Sequence, residues 1–406
     1  MEIIINNNNV EFCSNSDEKL SVFSFYDDKK YTSTNKKLIL DKKKLMPGEY
    51  IISTNDKISD KSLRVSYKIS DINSYVYEII DNSDYEKKIQ EKMKNVKVSV
   101  TIPTYNAGSF FDKVLNAIFN QCISTELVIV DSGSKDETLS VIKKYQDSGC
   151  NIKLIAINKS EFQHGKTRNF AISQATGEYV AVLTQDALPY NRYWLYELID
   201  PMLKDPLIAG TYGKHIPYIK TNIIERCRII TKFDVLDKKP PVYSFKKYED
   251  FEKLPEGQQL FYIDYFSNSS ALRKSVWEKV PYPEAPWSED KAWVKLLYKN
   301  NYKKGYCSNS IIFHSHSYGF SELYKRWYAS VKNTSYAGIT TYYWYRNDPK
   351  WVKKHLDRAK LLLQMTKYSK IRKGLLLLVE YIRDVIIYKA AIKALKDYDF
   401  ETQNNQ

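Results

Sequence analysis

Between Val96 and Pro189 the chain switches repeatedly between two periodicities, and this alternation limits its fold more than any other feature. VKVSVTIPTY is a β-branched apolar run, which predicts a buried strand ending at Pro103. Helical spacing follows from Ser109 to Asn120. ELVIVDSGS predicts a second strand, KDETLSVIKKYQDSG a helix with a glycine stop, and NIKLIAIN a third strand. HGKTRNFAISQATG predicts a helix closed by Gly177, and EYVAVLTQDALP a fourth strand running to Pro189. Strands and helices alternating at this interval build an α/β domain whose mostly parallel sheet is covered on both faces. Ligands of such sheets bind at the carboxyl ends of the strands. Pro103–Asn106, Asp131–Ser134 and Thr184–Ala187 all fall there, so their polar groups should line one cleft.

The flanks read differently. Residues 1–93 are rich in Asn, Ser, Asp and Lys, with short alternating runs (KLIL, EYIIST, SLRVSYKIS, SYVYEII) that predict a small β-rich domain, a turn or frayed end at Asn6–Asn9, and a charged helix over SDYEKKIQEKMKN. After an α/β domain at 94–320, residues 321–406 predict a helical region with 17 Lys and Arg against 8 Asp and Glu, so +9 of the chain's +14 lies there. Apolar residues at helical spacing between these cations fit a peripheral contact with an anionic membrane; a helical bundle or a homodimer interface would use the same pattern. The tail is expected to serve membrane docking and not catalysis. The apolar stretch Leu375–Leu395 is interrupted by five charges, which excludes an ordinary spanning helix. The cysteines (Cys13, Cys122, Cys150, Cys227, Cys307) are odd in number and form no CxxC, which fits a reducing compartment. Without a leader-like N-terminus the expected location is cytoplasmic, or peripheral on the inner face of the cell membrane. No nucleic-acid motif accompanies the basic charge, so no nucleic-acid partner is expected. No GxGxxG follows the first strand, which speaks against a dinucleotide-binding oxidoreductase.

Chemistry-bearing residues cluster in a few strings. Asp186 stands at a strand end and offers the oxygen ligand that Mg²⁺ or Mn²⁺ prefers. His314 and His316 in IIFHSHSY are two apart and would share a face if extended. Glu289 and Asp290 open a helix after Ser288, a candidate N-cap; a carboxylate there could act as general base, or simply complement the helix dipole. Arg168 can fork onto phosphate or carboxylate.

The ordered strings PTYN, VDSGSKDET, HGKTRN, ATGEYVAVLTQDA, SED and HSH resemble the family-2 glycosyltransferases of GT-A fold, over about residues 96–320. EFQHGKTRNFAISQATGEYVAVLTQDALP is similar in wording to the rhamnosyltransferase branch of that family, whose members move L-rhamnose from dTDP-L-rhamnose onto growing cell-surface polysaccharides. The resemblance implies an inverting, metal-dependent glycosyltransferase. It implies metal contacts from Asp186 and from His314 or His316, with Mg²⁺ or Mn²⁺ countering charge on the departing diphosphate. Most relatives carry Asp-x-Asp where this chain has Thr184, Gln185 and Asp186, so the first carboxylate is missing. The resemblance implies that Asp290 removes the acceptor proton while Glu289 binds the acceptor or orients the loop. It places Pro103, Thr104, Tyr105, Asn106, Asp131, Lys166, Arg168 and Gln185 around the nucleotide, and His164, Asn268 and Trp287 near the sugar or acceptor; Trp287 could equally be a core anchor. The acceptor implied is a saccharide, often linked to undecaprenyl diphosphate. A UDP-hexose or UDP-N-acetylhexosamine donor, or a non-catalytic nucleotide-sugar- or saccharide-binding protein, are the competing readings.

Overall fold

The computed structural model describes residues 83–404 except 219, 337–347, 349, 365 and 367; before residue 83 it describes residue 33 and the backbone of eight strands. Those strands form two antiparallel sheets. One pairs β1 (Glu2–Ile5), β2 (Asn9–Cys13) and β5 (Lys37–Asp41); the other has the order β4-β3-β6-β7-β8, from β3 (Ser21–Ser24), β4 (Lys30–Thr32), β6 (Gly48–Ser53), β7 (Leu63–Ile69) and β8 (Tyr75–Ile80). Residues 6–8 of the expected turn lie outside the described residues, while Asn9 already belongs to β2. The charged segment forms α1 (Ser83–Met93), anchored by Glu86 to Arg192 at 3.2 Å and by Lys92 to Asp200 at 2.5 Å.

The alternating region forms β9 (Val98–Thr104), α2 (Phe111–Phe119), β10 (Glu126–Asp131), α3 (Thr138–Asp147), β11 (Ile152–Ala156), α4 (His164–Ser173) and β12 (Tyr179–Leu183). Strands β11, β10, β9 and β12 are parallel neighbours in that order. Successive residues feed opposite faces, as the strand period requires: Leu127, Ile129, Ala181 and Leu183 pack on one side, Val128, Val180 and Val182 on the other. A fully apolar strand is thereby buried on both faces, which explains why no polar alternation is visible in these runs.

Beyond β12 the sheet continues through β13 (Leu188–Pro189), β14 (Ile208–Ile216), β15 (Val242–Tyr243), β16 (Ser269–Arg273) and β17 (Lys303–Phe313), giving the order β11-β10-β9-β12-β16-β14-β17-β13 with β15 beside β17. The long β14–β17 pairing is parallel, whereas β16 runs antiparallel to both β12 and β14. The mostly parallel α/β architecture expected of the sequence is thus the one found, with antiparallel strands inserted in its second half. Helices α5 (Trp194–Lys204), α6 (Ile223–Asp237), α7 (Tyr248–Glu252), α8 (Glu256–Ile263), α9 (Lys274–Trp277) and α10 (Glu289–Lys299) connect these strands, and α11 (Phe320–Tyr336), α12 (Trp351–Gln364) and α13 (Lys370–Asn404) follow.

Two local expectations need correction. Strand β12 stops at Leu183, and Thr184–Ala187 make a turn closed by Ala187 N–H donating to Thr184 C=O at 3.1 Å. Gly177 does not end α4, which stops at Ser173; instead its backbone runs against β9, where a Cβ would meet Ser99 N at 2.6 Å. Tyr262 and Ile263 finish α8, and β16 begins only at Ser269.

The C-terminal helices are not an appended tail. Ala359, Leu362 and Leu363 of α12 are buried with Ile223, Ile224 and Cys227 of α6. Arg228 of α6 pairs with Glu380 of α13 at 2.6 Å, and Glu380 and Asp384 are both buried. No described helix is long and apolar enough to cross a membrane.

Candidate active site

The turn after β12 presents Asp186. Its carboxylate lies 3.7 Å from His314 Nε2 and 3.4 Å from His316 Nε2, and one ligand atom from each of the three falls within 4.8 Å of the others. The histidines follow the end of β17, which pairs with β13, so sheet register carries them to the β12–β13 turn. Tyr218, which no sequence signal singled out, fixes this turn: its hydroxyl donates to Asp186 C=O at 2.9 Å and its ring stacks on Phe313. Ser315 between the histidines accepts Tyr218 N–H at 2.9 Å and bonds Thr221. Burial pushes His314 down to about 4 and lowers His316, despite the nearby Asp186 carboxylate, so both imidazoles are neutral near pH 7. One carboxylate and two neutral imidazoles fit Mn²⁺ or another borderline divalent cation, and leave positions open for other ligands. Asn268 sets the ring: its side-chain amide nitrogen is 2.9 Å from His314 Nδ1, while its buried Oδ1 has no partner. Turning the amide over would pair Oδ1 with Nδ1–H and leave the Nε2 lone pair facing Asp186.

Asp290 sits in the first turn of α10, half-buried. Its Oδ2 accepts Ser267 Oγ–H at 2.8 Å and Ser267 N–H at 3.2 Å. Residues 267 and 268 therefore bridge two centres: Ser267 holds Asp290, and Asn268 touches His314. The neighbouring Ser288 is not a side-chain cap. It adopts φ 57°, makes no capping bond, and its hydroxyl pairs instead with Thr334 of α11 at 2.9 Å. A left-handed non-glycine residue is strained, and the buried Thr334 contact holds it there.

HGKTRN works differently from the expectation. Gly165 packs so closely on the 283–285 backbone that a Cβ would lie 2.2 Å from Pro283 C=O. Arg168 is buried and ion-paired with the buried Glu289, rather than turned outward to a nucleotide. Asn169 accepts Trp277 Nε1–H at 2.9 Å and Tyr282 N–H at 3.1 Å, and donates to Tyr282 C=O at 2.8 Å. This face of α4 thus moulds the segment that leads into Glu289 and Asp290. Glu289 is enclosed, with its carboxylate on Arg168. Breaking the pair with Arg168→Met leaves Glu289 charged and uncompensated, which should cost about 3–5 kcal/mol of stability. A chemical-denaturation midpoint unchanged from the parent chain would contradict this. Of the remaining motif residues, Lys166 is exposed, and burial beside Arg168 pushes His164 down to about 4. The His164 ring meets Trp287 edge-on at 5.2 Å. Trp287 is half-buried and lines an open cavity, so it is not a core anchor.

The strand ends come together as expected, through contacts the sequence did not announce. Tyr105 N–H donates to Gln185 Oε1 at 2.8 Å, and Gln185 Nε2–H donates back to Tyr105 C=O at 3.1 Å, joining the β9 end to the Asp186 turn. Pro103 is half-buried and Thr104 buried below them. Tyr105 is exposed; Lys159, not predicted, donates to its hydroxyl at 3.0 Å and lies 4.3 Å from its ring centre, lowering its pKa. Asn106 takes φ 47° and binds both Ser134 and Lys135 backbone or side chain. Asp131 is buried, and its carboxylate accepts Gly133 N–H, Ser134 N–H and Ser134 Oγ–H. Its first task is therefore to fold the VDSGS turn; the two N–H groups occupy Oδ2, and Oδ1 keeps one lone pair for a ligand.

A cavity of about 720 Å³ adjoins the histidines, between the sheet end, α6 and the C-terminal helices. Its lining includes His215, Phe266, Trp287, His316, Trp327 and Arg358. His215 is buried beside His314 with its Nε2 making no hydrogen bond. Residues of α11, α12 and α13, among them Trp327, Arg358 and Arg383, stand in the wall of this cavity.

The molecule is thus an α/β protein whose mixed sheet carries a carboxylate–histidine cluster at its strand ends. Residues 99–276 match the family described as Glycosyl transferase family 2. The O-antigen chain rhamnosyltransferase RfbN of Salmonella typhimurium is 33% identical over 239 residues, covering 57% of this chain and 71% of that protein. The O-antigen chain rhamnosyltransferase WbaN of Salmonella anatum is 29% identical over 238 residues, covering 57% and 70%. Among solved structures, a mannosyltransferase from Pyrobaculum calidifontis in complex with GDP-Man and Mn²⁺ aligns with a TM-score of 0.49 at 15% identity, over 77% of this chain and 94% of that one. The chain belongs to glycosyltransferase family 2 and resembles its rhamnosyltransferase branch.

Proposed function

We propose that this glycosyltransferase moves L-rhamnose from dTDP-L-rhamnose, with inversion, to a hydroxyl of a cell-surface polysaccharide or lipid-linked saccharide. The observation that carries the reading is the 267–268 bridge, which ties Asp290 and the His314 of the Asp186–His314–His316 cluster to adjacent residues of one loop. Asp290 takes the proton from the acceptor hydroxyl as its oxygen bonds the anomeric carbon, and the bond from that carbon to the diphosphate oxygen breaks on the opposite side. Asp186, His314 and His316 would hold a divalent cation, which supplies charge neutralisation for the leaving diphosphate. Tyr105 lies against the base, with Asp131 accepting the imide N–H of thymine; Lys159, which bonds the Tyr105 hydroxyl, and the exposed Lys166 are cations near this side. The acceptor occupies the cavity, where Trp287 offers a sugar-stacking face and His215 Nε2 a polar contact.

In this reading residues 94–320 are the catalytic domain, 321–406 complete the acceptor wall, and 1–93 form a β-rich part whose α1 is anchored on the catalytic domain. Donor choice is tested by a panel of nucleotide sugars assayed for metal-dependent hydrolysis. Turnover of dTDP-L-rhamnose well above UDP-glucose, UDP-galactose and UDP-N-acetylglucosamine is expected. Turnover of a UDP-sugar with dTDP-L-rhamnose inert would refute the donor and leave the family membership untouched. RfbN and WbaN are O-antigen chain rhamnosyltransferases, which supports rhamnose as the sugar moved.

A further inference from the structure

We propose that the outward face of the first turns of α13, with the end of α12, docks onto an anionic lipid bilayer. Ile371, Leu375, Leu378 and Ile382 stand at i, i+4, i+7 and i+11, the spacing of one helix stripe, and are 80%, 62%, 58% and 40% exposed. Leu361 on α12 is 63% exposed. The fold does not need this stripe, because α13 already has a buried side: Leu376 and Leu377 pack against the α6–α12 core, and Glu380 holds Arg228. Contiguous exposed apolar side chains of this size mark an interaction surface.

Charge selects the occupant. From Leu361 to Val379 the sequence carries four Lys or Arg (Lys367, Lys370, Arg372, Lys373) and no Asp or Glu. A second copy of the same face would set these cations against their equivalents, which disfavours a dimer here. A bilayer of anionic lipids offers both the apolar depth and the opposite charge that a basic amphipathic helix seeks. The position is also functional. Arg358 lines the cavity one turn before Leu361, and Arg383 and Ile387 line it just beyond Ile382. The stripe and the cavity share two helices, so seating the stripe on a membrane brings the cavity to the surface where a lipid-borne acceptor would lie. Docking does not depend on the donor or metal assigned above.

The test is co-sedimentation of the full chain with vesicles of phosphatidylcholine alone and of phosphatidylcholine with phosphatidylglycerol. Binding to the mixed vesicles is expected, weakened by salt and by about fivefold for each of Lys370, Arg372 and Lys373 changed to serine. The combined Ile371→Ser, Leu375→Ser and Leu378→Ser variant should lose at least about tenfold in binding, with far-ultraviolet circular dichroism and nucleotide binding unchanged. Leu375→Ser alone serves if the triple variant fails to fold. Equal binding to both vesicle types, or binding unaffected by the apolar changes, overturns the proposal. So does a parent dimer that the triple variant converts to a monomer, which would make the stripe an interface between copies.

Discussion

Asp186→Ala is expected to lower turnover about a thousandfold, the scale of several kcal/mol of charge neutralisation at a departing diphosphate. The side chain projects from a turn whose backbone is fixed independently, by Tyr218 at Asp186 C=O and by the Gln185–Tyr105 pair. Its removal should therefore leave the fold intact and weaken nucleotide binding only when a divalent cation is present. Parent activity should vanish in EDTA and return with Mn²⁺ or Mg²⁺. A variant that keeps full activity, or a parent enzyme indifferent to EDTA, would remove the cation from the account.

Asp290→Asn should reduce kcat about 10²–10⁴-fold, the usual contribution of a positioned general base. The amide keeps an oxygen to accept from Ser267, so the loop should hold its shape. Donor affinity, measured by calorimetry with dTDP, should be unchanged, because the residue acts on the acceptor hydroxyl. A proportional loss of donor binding and turnover would instead mark Asp290 as part of the framework, like its neighbour Glu289.

The two adjacent acids show where sequence reading succeeds and where it stops. A helix start bearing Glu289 and Asp290 was legible, as was the strand-end position of Asp186, because local patterning determines both. That one acid is half-buried on Ser267 and the other is buried on Arg168 depends on how α4 crosses the 283–289 segment, which is a contact across more than a hundred residues. The same contact turned HGKTRN from an apparent nucleotide motif into a moulding surface for Gly165, Arg168 and Asn169. The histidine pair was visible, but Tyr218, Lys159 and His215 carry no local signature, since each gains its position from tertiary packing. The parallel strands were read from their uninterrupted apolar runs. The antiparallel β16 was harder to register, because SNSSALR is partly polar and its serines are buried by neighbours on both sides. The apolar residues of the tail were likewise counted together in the sequence, whereas the fold divides them: Leu362 and Leu363 face α6, while Leu361, Leu375 and Leu378 face out.

Electron paramagnetic resonance of Mn²⁺ titrated into the protein with dTDP tests the central claim most directly, since it needs no acceptor. The account predicts that the signal of the hydrated ion disappears as the complex forms, that echo modulation shows nitrogen coupling from imidazole, and that this coupling is lost when His314 and His316 are both changed to alanine. A Mn²⁺ signal unaltered by protein and dTDP, or a bound ion with no nitrogen coupling in the parent chain, would contradict a metal centre built from Asp186, His314 and His316.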